Sequence, residues 1–360
     1  VICVGAILNS VWHTLDITKK TSRDADPLLR LSKKISPNGR TNNIPFERQM
    51  ILIRDFYNVQ EQHRPSVVSI GNFDGVHAGH VQLVTLLKKQ AHALGVKTTA
   101  MTFEPHPHEY FSPQNAPARL LRWRDKIEKL AQAGVDQIFS LRFNQALAQT
   151  SAEDFVKKYL VDGLGVRHVV IGDDFRFGRK RTGDVHLLRE LGERWGFSIS
   201  TVDTYLIGSE RVSSTRIREA LRQDDFDLAE ELLGYRYAIQ GRVAHGDKRG
   251  RTIGFPTANI VLRHDNVPVW GVYAVCVHLE GKESQTGVAN IGIRPTVGGE
   301  RVLLEAHLFD FAEEIYGSRV RVEFMAKIRP ERRFESFEAL KEQIALDSTA
   351  ARRWFEDQRG

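Results

Sequence analysis

Two fold classes in tandem are predicted for these 360 residues. Residues 50–235 read as a doubly wound α/β unit, and residues 236–360 as a small six-stranded antiparallel β-barrel with a C-terminal helix. Three observations carry this. From Met50 to about Leu233, apolar runs alternate with amphipathic helical patterns, which implies a parallel sheet covered on both faces. A glycine-rich turn, Gly71-Asn-Phe-Asp-Gly-Val-His-Ala-Gly-His80, joins the first clear apolar run to a helical pattern. After Gly234 the helical patterns give way to short period-two runs such as Val320, Val322, Phe324, Ala326 and Ile328.

In chain order, residues 1–49 come first and carry no amphipathic period. From Thr14 to Gln49 they are polar and turn-rich, as an appended segment or an unstructured arm would be. Met50 opens Ile-Leu-Ile-Arg-Asp, a first strand. Further strands are expected at Val67–Ile70, Lys97–Phe103, Gln137–Leu141, His168–Ile171 and Ser198–Val202. Helices are expected at His80–Leu94, Arg124–Ala133, Ala152–Leu160 and Val185–Trp195, with Ser151 and Asp154 as a capping box for the third. Another helix opens at Ser213 or Ser214. The barrel strands are Ala238–Val243, Thr257–Leu262, Gly271–Leu279, Gln285–Asn290, Val302–Phe311 and Val320–Ile328. Ser336–Leu346 and Ser348–Phe355 follow as one or two helices.

Composition narrows the function. Hydrophobic content of 41% and charged content of 27% are those of an ordinary globular protein. The net charge is +6, but residues 1–49 carry eight Lys/Arg against four Asp/Glu, so the remainder holds only +2. A broad nucleic-acid footprint is therefore not expected. No apolar run approaches the ~20 residues of a membrane span. Two distant cysteines, Cys3 and Cys276, suit a reducing cytoplasm and no structural zinc site. No Walker-type phosphate loop is present.

Chemistry concentrates at strand ends. In the Gly71–His80 turn the glycines allow tight bending and close ligand approach, and the helix start offers unpaired N–H groups to an anion. His77 and His80, three residues apart, share one face of its first turn. Thr102-Phe-Glu-Pro-His-Pro107 is a stiff loop after the next strand. In Gly172-Asp-Asp-Phe-Arg-Phe-Gly178, Asp173 and Asp174 suit a metal-bound or hydroxyl-bearing substrate, and Phe175 and Phe177 a flat ring. In Arg211-Val-Ser-Ser-Thr-Arg-Ile-Arg218, hydroxyls, N-terminal amides and arginines suit a triphosphate or its pyrophosphate. Each of these three alone would be an ordinary connector, surface carboxylates or a helix cap.

Together they resemble a known family. The turn resembles the HxGH signature of nucleotidyltransferases, and its longer form is similar to the adenylyltransferase half of bacterial bifunctional riboflavin kinase/FAD synthetases. The resemblance implies catalytic roles for His77 and His80. It implies nucleotide or substrate binding by Gly71, Asn72, Phe73, Asp74, Gly75, Gly79, Asp173, Asp174, Phe175, Arg211, Ser213, Ser214, Thr215 and Arg218. Asp174 stands where many members carry asparagine, so its charge differs from theirs. The barrel resembles the riboflavin kinase domain, with phosphate-covering residues Gly246, Gly250, Gly254 and Pro256. There Thr257 and Asn259, in Pro256-Thr-Ala-Asn259, would hold Mg²⁺, and Glu305 would be the catalytic base. The implied function is phosphorylation of riboflavin to FMN by ATP, then adenylylation of FMN by ATP to FAD and pyrophosphate. The implied partners are these small molecules, with no nucleic acid and no membrane. Two rival readings stay open: the same fold with one active half, and a flavin-sensing binding protein.

Overall fold

A computed structural model describes residues 50–244, 257–262, 267–296 and 299–359. Met50–Gly360 belong to one compact unit. The expectation for residues 1–49, and the positions of Gly246, Gly250, Gly254 and Pro256, lie outside the described residues.

The first sheet consists of β1 (Ile51–Arg54), β2 (Ser66–Ile70), β3 (Lys97–Glu104), β4 (Gln137–Arg142), β5 (Val166–Gly172) and β6 (Ser198–Val202). All pairs are parallel, in the order β1-β4-β3-β2-β5-β6. Consecutive side chains alternate between two apolar layers. Val67, Ala100, Ile138 and Val170 enter one layer, and Val68, Met101, Phe139 and Val169 the other. Burial on both faces explains why runs such as Val67-Val68 and Val169-Val170-Ile171 show no period-two alternation. The order reverses at β2, whose neighbours are β3 and β5, and in such sheets ligands bind beyond the C-terminal strand ends at that reversal. The Gly71–His80 turn leaves β2 at that point.

The connections are α1 (Ala78–Leu94), α2 (Pro107–Phe111), α3 (Trp123–Gln132), α4 (Gln145–Gln149), α5 (Ala152–Phe155) and α6 (Val185–Trp195). The expected Ala152–Leu160 helix is α-helical only through Phe155, and Val156–Gly163 continue it as π-helix. At its start Ser151 Oγ accepts from the Asp154 N–H at 3.0 Å and donates to the Asp154 carboxylate at 2.6 Å. The carboxylate thus accepts a hydrogen bond from the hydroxyl, where in a capping box it would accept from the cap's backbone N–H. A two-residue hairpin, β7 (Leu206–Ile207) and β8 (Glu210–Arg211), precedes α7 (Ser214–Arg222) and α8 (Phe226–Leu233).

The second sheet closes on itself from β9 (Ala238–Ala244), β10 (Thr257–Leu262), β11 (Gly271–Leu279), β12 (Gln285–Thr296), β13 (Gly299–Leu308) and β14 (Arg319–Arg329). Its order is β10-β13-β12-β11-β14-β9, all antiparallel, with β9 pairing β10 to close the ring. Tyr273, Val275, Val277, Ile291, Leu304, Val322 and Phe324 point inward. Ile217, Leu221, Phe226 and Leu232 of α7 and α8 join the same apolar cluster, so the two helices cap the barrel core. One continuous helix, α9 (Phe337–Asp357), covers the outer residues Val272, Ala274 and Val288 with Ala351 and Phe355. β12 runs past the expected Asn290 because Gly292–Thr296 pair with Leu303–Gly299. β13 stops at Leu308, short of Phe311, where Asp310 turns the chain with φ 55°.

Candidate active sites

The turn after β2 is backbone under tension. Phe73 and Val76 take φ values of 50° and 39°, a region that costs a non-glycine residue about 1–3 kcal/mol. Their side chains are held in the layer beneath α1, 1% and 3% exposed, and that packing opposes relaxation. Gly75 lies at φ 86°, and a Cβ there would come within 2.9 Å of Leu120 Cδ1. Asp74 is the buckle. Its buried carboxylate accepts from the Leu120 and Leu121 N–H groups at 3.0 and 3.2 Å and from the Arg218 guanidinium. Arg218 Nε donates to the Ala118 carbonyl, and Ser214 Oγ donates to the Asp74 carbonyl at 2.9 Å. Tyr235 OH donates to the Gly75 carbonyl. Asp74, Ser214 and Arg218, read from the sequence as ligand-binding residues, therefore hold one another across 144 residues of chain.

At the end of the turn, His77 caps α1 through its backbone and the helix rises behind it. The His77 and His80 rings stack at 3.7 Å, 23° apart, with Phe73 5.3 Å from His80. Each Nδ1 is shielded from water and meets no hydrogen-bond partner. Gly79 leaves room for the folded-back His77 ring, since a Cβ at that position would lie 3.3 Å from His77 Cε1. Burial first, then the Arg211 and Arg218 charges, hold the His77 ring down to about 4. His80 is pushed well below the usual imidazole range by burial, then by His77 and Lys126. Both rings are thus neutral near pH 7 and sit among cations. A polyanion arriving there would meet ring nitrogens, helix amides and guanidinium groups together.

The neighbouring strand ends complete this edge. Arg211 pairs with Asp174 at 2.6 Å, both half-exposed, while Thr204 Oγ1 lies 3.4 Å from Asp173. Phe175 stacks on buried Phe177 at 5.5 Å and 14°. Ser213 caps α7 by accepting from the Arg216 N–H at 3.2 Å, and Thr215 is exposed in its first turn. Beyond β3, Phe103, Tyr110 and Phe111 gather around Phe143 at 5.4–6.0 Å, with Phe111 66% exposed. Arg119 bridges Glu104 at 2.7 Å and Glu109 at 2.5 Å.

The sequence reading passed over two features of this edge. One is that aromatic group. The other is Lys126, whose buried ammonium reaches the Asn72 carbonyl at 3.0 Å. A signal existed for it: Trp123, Lys126, Ile127 and Leu130 follow the i, i+3, i+4, i+7 stripe of a buried helix face, and a lysine is out of place there.

On the barrel, Ala258, Ile260, Leu304 and Ala306 face inward, so Thr257, Asn259 and Glu305 face outward between them, each half-buried. The register sets Asn259 opposite Glu305, and Glu305 opposite Asn290 on β12, while Thr257 faces His307. Cross-strand partners share a face at ~4.5–5.5 Å between Cβ atoms, so three polar side chains stand abreast. Asn290 is a second residue that sequence reading missed. A threonine hydroxyl and an asparagine carbonyl two residues apart on one face fit a hard cation that keeps several waters and binds mostly through phosphates.

Arg122, just before α3, donates to the carbonyls of Gln240 and Val261 at 2.7 Å each. Arg319 of β14 reaches back to Asp125 at 2.9 Å and Glu128 at 2.6 Å on α3. One helix therefore touches both the turn and the barrel.

Comparison with known proteins finds two family matches, FAD synthetase over residues 59–216 and riboflavin kinase over residues 233–355. The bifunctional riboflavin kinase/FMN adenylyltransferase of Pseudomonas fluorescens is 48% identical over 304 residues, 84% of this chain and 97% of that one. Its counterpart in Escherichia coli K12 is 48% identical over 307 residues, 85% of this chain and 98% of that one. A Streptococcus pneumoniae crystal structure, described as a macrolide-efflux protein, superposes with a TM-score of 0.71 at 30% identity, covering 85% of this chain and all of that one. No helix among the described residues is long and apolar enough to cross a membrane.

Proposed function

The chain belongs to the bifunctional riboflavin kinase/FMN adenylyltransferases, and we propose that it performs its two reactions at two separate edges of this fold. Adenylyl transfer belongs to the β2–α1 turn within residues 50–235, and phosphoryl transfer to the outer face of the barrel within residues 236–360. The rival readings, one silent half or a flavin sensor, are not favoured, since both family matches run in series along the chain.

The observation that carries the first assignment is the stacked, neutral His77/His80 pair at the switch point of the sheet, each ring with an unpartnered buried nitrogen. FMN brings its own phosphate as nucleophile. One of its oxygens forms a bond to the α-phosphorus of ATP, while the bond from that phosphorus to the bridging oxygen breaks and pyrophosphate departs with the electron pair. No protein nucleophile is needed. The ring nitrogens, the α1 amides and Arg211 stabilise charge growing on the α-phosphate and pyrophosphate. Asp74 and Arg218 hold the turn rigid from beneath. Phe103, Tyr110, Phe111, Phe143 and Phe175 offer flat apolar surface for the flavin ring.

In the barrel, the ribityl hydroxyl of riboflavin attacks the γ-phosphorus of ATP, its proton passes to the Glu305 carboxylate, and ADP leaves. Thr257 and Asn259 would hold Mg²⁺, which when bound supplies charge neutralisation to the phosphates. Glu305 stands beside Asn259 in register, so the base and the proposed Mg²⁺-holding residues share one face of the barrel.

The test is chromatography of products from riboflavin plus MgATP, followed in time. FMN should rise first and FAD after it. In the His77→Ala/His80→Ala double variant FMN should accumulate while FAD formation falls by ~10²–10³-fold or more. FAD formation at near the wild-type rate in that variant overturns the assignment.

A further inference from the structure

Lys126 is 1% exposed, among the most deeply buried large side chains of the molecule. Its Nζ donates to the Asn72 carbonyl at 3.0 Å and to Thr102 Oγ1 at 3.3 Å, and it lies 3.0 Å from His106 Nε2. The Trp123 ring centroid is 5.2 Å away. His106 is kept neutral, held down to about 3 by its burial and by Lys126 and Arg119, so these polar partners are all uncharged. A buried ammonium without an ion-pair partner is a poor way to stabilise a fold, and an apolar side chain of similar length would serve stability better. The charge therefore calls for a reason outside folding.

Its place supplies one. Asn72 belongs to the turn after β2, and Thr102 and His106 to the end of β3 and the loop beyond it. We propose that Lys126 is a positioning residue of adenylyl transfer: it clamps these two loops at the switch point and holds a positive charge behind the histidine pair. This rests on placing adenylyl transfer at the β2–α1 turn. The charge reaches that far, since it is one of the influences that keep the His80 ring neutral. The ionisable groups around it are Asp74 and His80 from the turn, Glu104, His106 and Glu109 from the β3–α2 segment, and Arg119 ahead of α3. Burial lowers Lys126 to about 8, with the carboxylates opposing that fall. Its charge is thus present at neutral pH and lost as pH rises through about 8.

Lys126→Met keeps length without charge, and Lys126→Gln keeps a donor for the Asn72 carbonyl without charge. In the full chain, with FMN and MgATP, both should lower kcat for FAD synthesis by roughly 30–100-fold. The KM for ATP should change by less than about threefold. FMN formation from riboflavin should stay within about twofold of wild type, and the melting temperature should hold or rise. Wild-type FAD synthesis should decline above about pH 8, and this decline should be absent from both variants. The inference is overturned if either variant makes FAD within about threefold of the wild-type rate. It is overturned equally if both activities and thermal stability fall together, or if the alkaline decline persists. The histidine double variant separates the two levels of argument. If it still makes FAD, the placement of the reaction fails; if it stops while Lys126→Met does not, only the role of Lys126 fails.

Discussion

Gly79→Ala separates the chemistry of the β2–α1 turn from its stability. The residue is the second of α1, and its backbone is one that alanine accepts. On helix propensity alone, alanine should stabilise by up to ~1 kcal/mol, less so near a helix end. The added Cβ, however, would stand 3.3 Å from His77 Cε1, 3.4 Å from its Nδ1 and 3.6 Å from Tyr205 Cβ. The first is tighter than ordinary carbon contact at ~3.5–4.0 Å, so the ring must yield by a few tenths of an ångström. His77 is 7% exposed and stacked on His80, so it yields only by disturbing the pair. Since ~1 Å of misplacement can cost ~10²-fold, a shift of this size should cost about fivefold to tenfold in FAD synthesis. The assay is FAD formation from FMN and MgATP, with kinase activity on riboflavin and a thermal melt on the same preparation. The expected pattern is slower FAD synthesis with kinase activity and melting temperature held or raised. Undiminished FAD synthesis would refute the claim that the pose of the His77 ring matters.

Glu305→Gln keeps size and hydrogen-bond acceptance but removes basicity. It should lower FMN formation by ~10²–10⁴-fold with substrate binding retained and FMN-to-FAD conversion intact. An unchanged kinase rate would make Glu305 merely an outward residue of β13. Arg319→Met leaves Asp125 buried beside Glu128 without its cation. Burial already raises the Asp125 carboxyl to about 6, with Arg319 opposing the rise. Such a group binds its proton more readily folded than unfolded, so its contribution to stability is fully present below about 3.8 and lost as pH rises through about 6. Removing Arg319 should therefore cost about 2 kcal/mol at pH 7.5 and visibly less at pH 5, read from urea melts. An equal loss at both values would show that Asp125 does not carry the effect.

Much of this architecture is legible in the sequence, because the patterns that announce it are local. Alternation of strands and helices gives a parallel sheet covered on both faces, whereas the switch point at β2 rests on a strand order that only the folded chain shows. The glycine–histidine turn announces itself because its glycines and histidines are neighbours in the chain. What escaped is set by distance or by energy. The pairing of Asp74 with Arg218 spans 144 residues, and nothing local says that a motif aspartate and a motif arginine will meet each other beneath the turn. Asn290 carries no weight on its own strand and gains it only from standing abreast of Glu305 and Asn259. The π-helical turns at Val156–Gly163 keep apolar Val156, Tyr159 and Leu160 at spacings that suit an α-helix equally well, so the pattern does not tell the two apart.

α3 shows how hydrogen bonds and ion pairs from one short helix join the glycine–histidine turn to the barrel. It is a helix of 10 residues with no proline or glycine inside it, so its sequence holds none of the usual causes of a kink. Arg122 at its start grips the carbonyls of Gln240 and Val261, and Val261 lies on the strand that carries Thr257 and Asn259. Asp125 and Glu128 receive Arg319 from β14 on the opposite side of β9. Between them Lys126 turns the other way, to Asn72 and His106. Four residues within seven positions therefore set the helix against the barrel and the turn against the helix. These contacts tie the turn's position to barrel strands β9, β10 and β14 through one unkinked helix. The fold needs this because the turn is strained at Phe73 and Val76 and would relax if its support were soft.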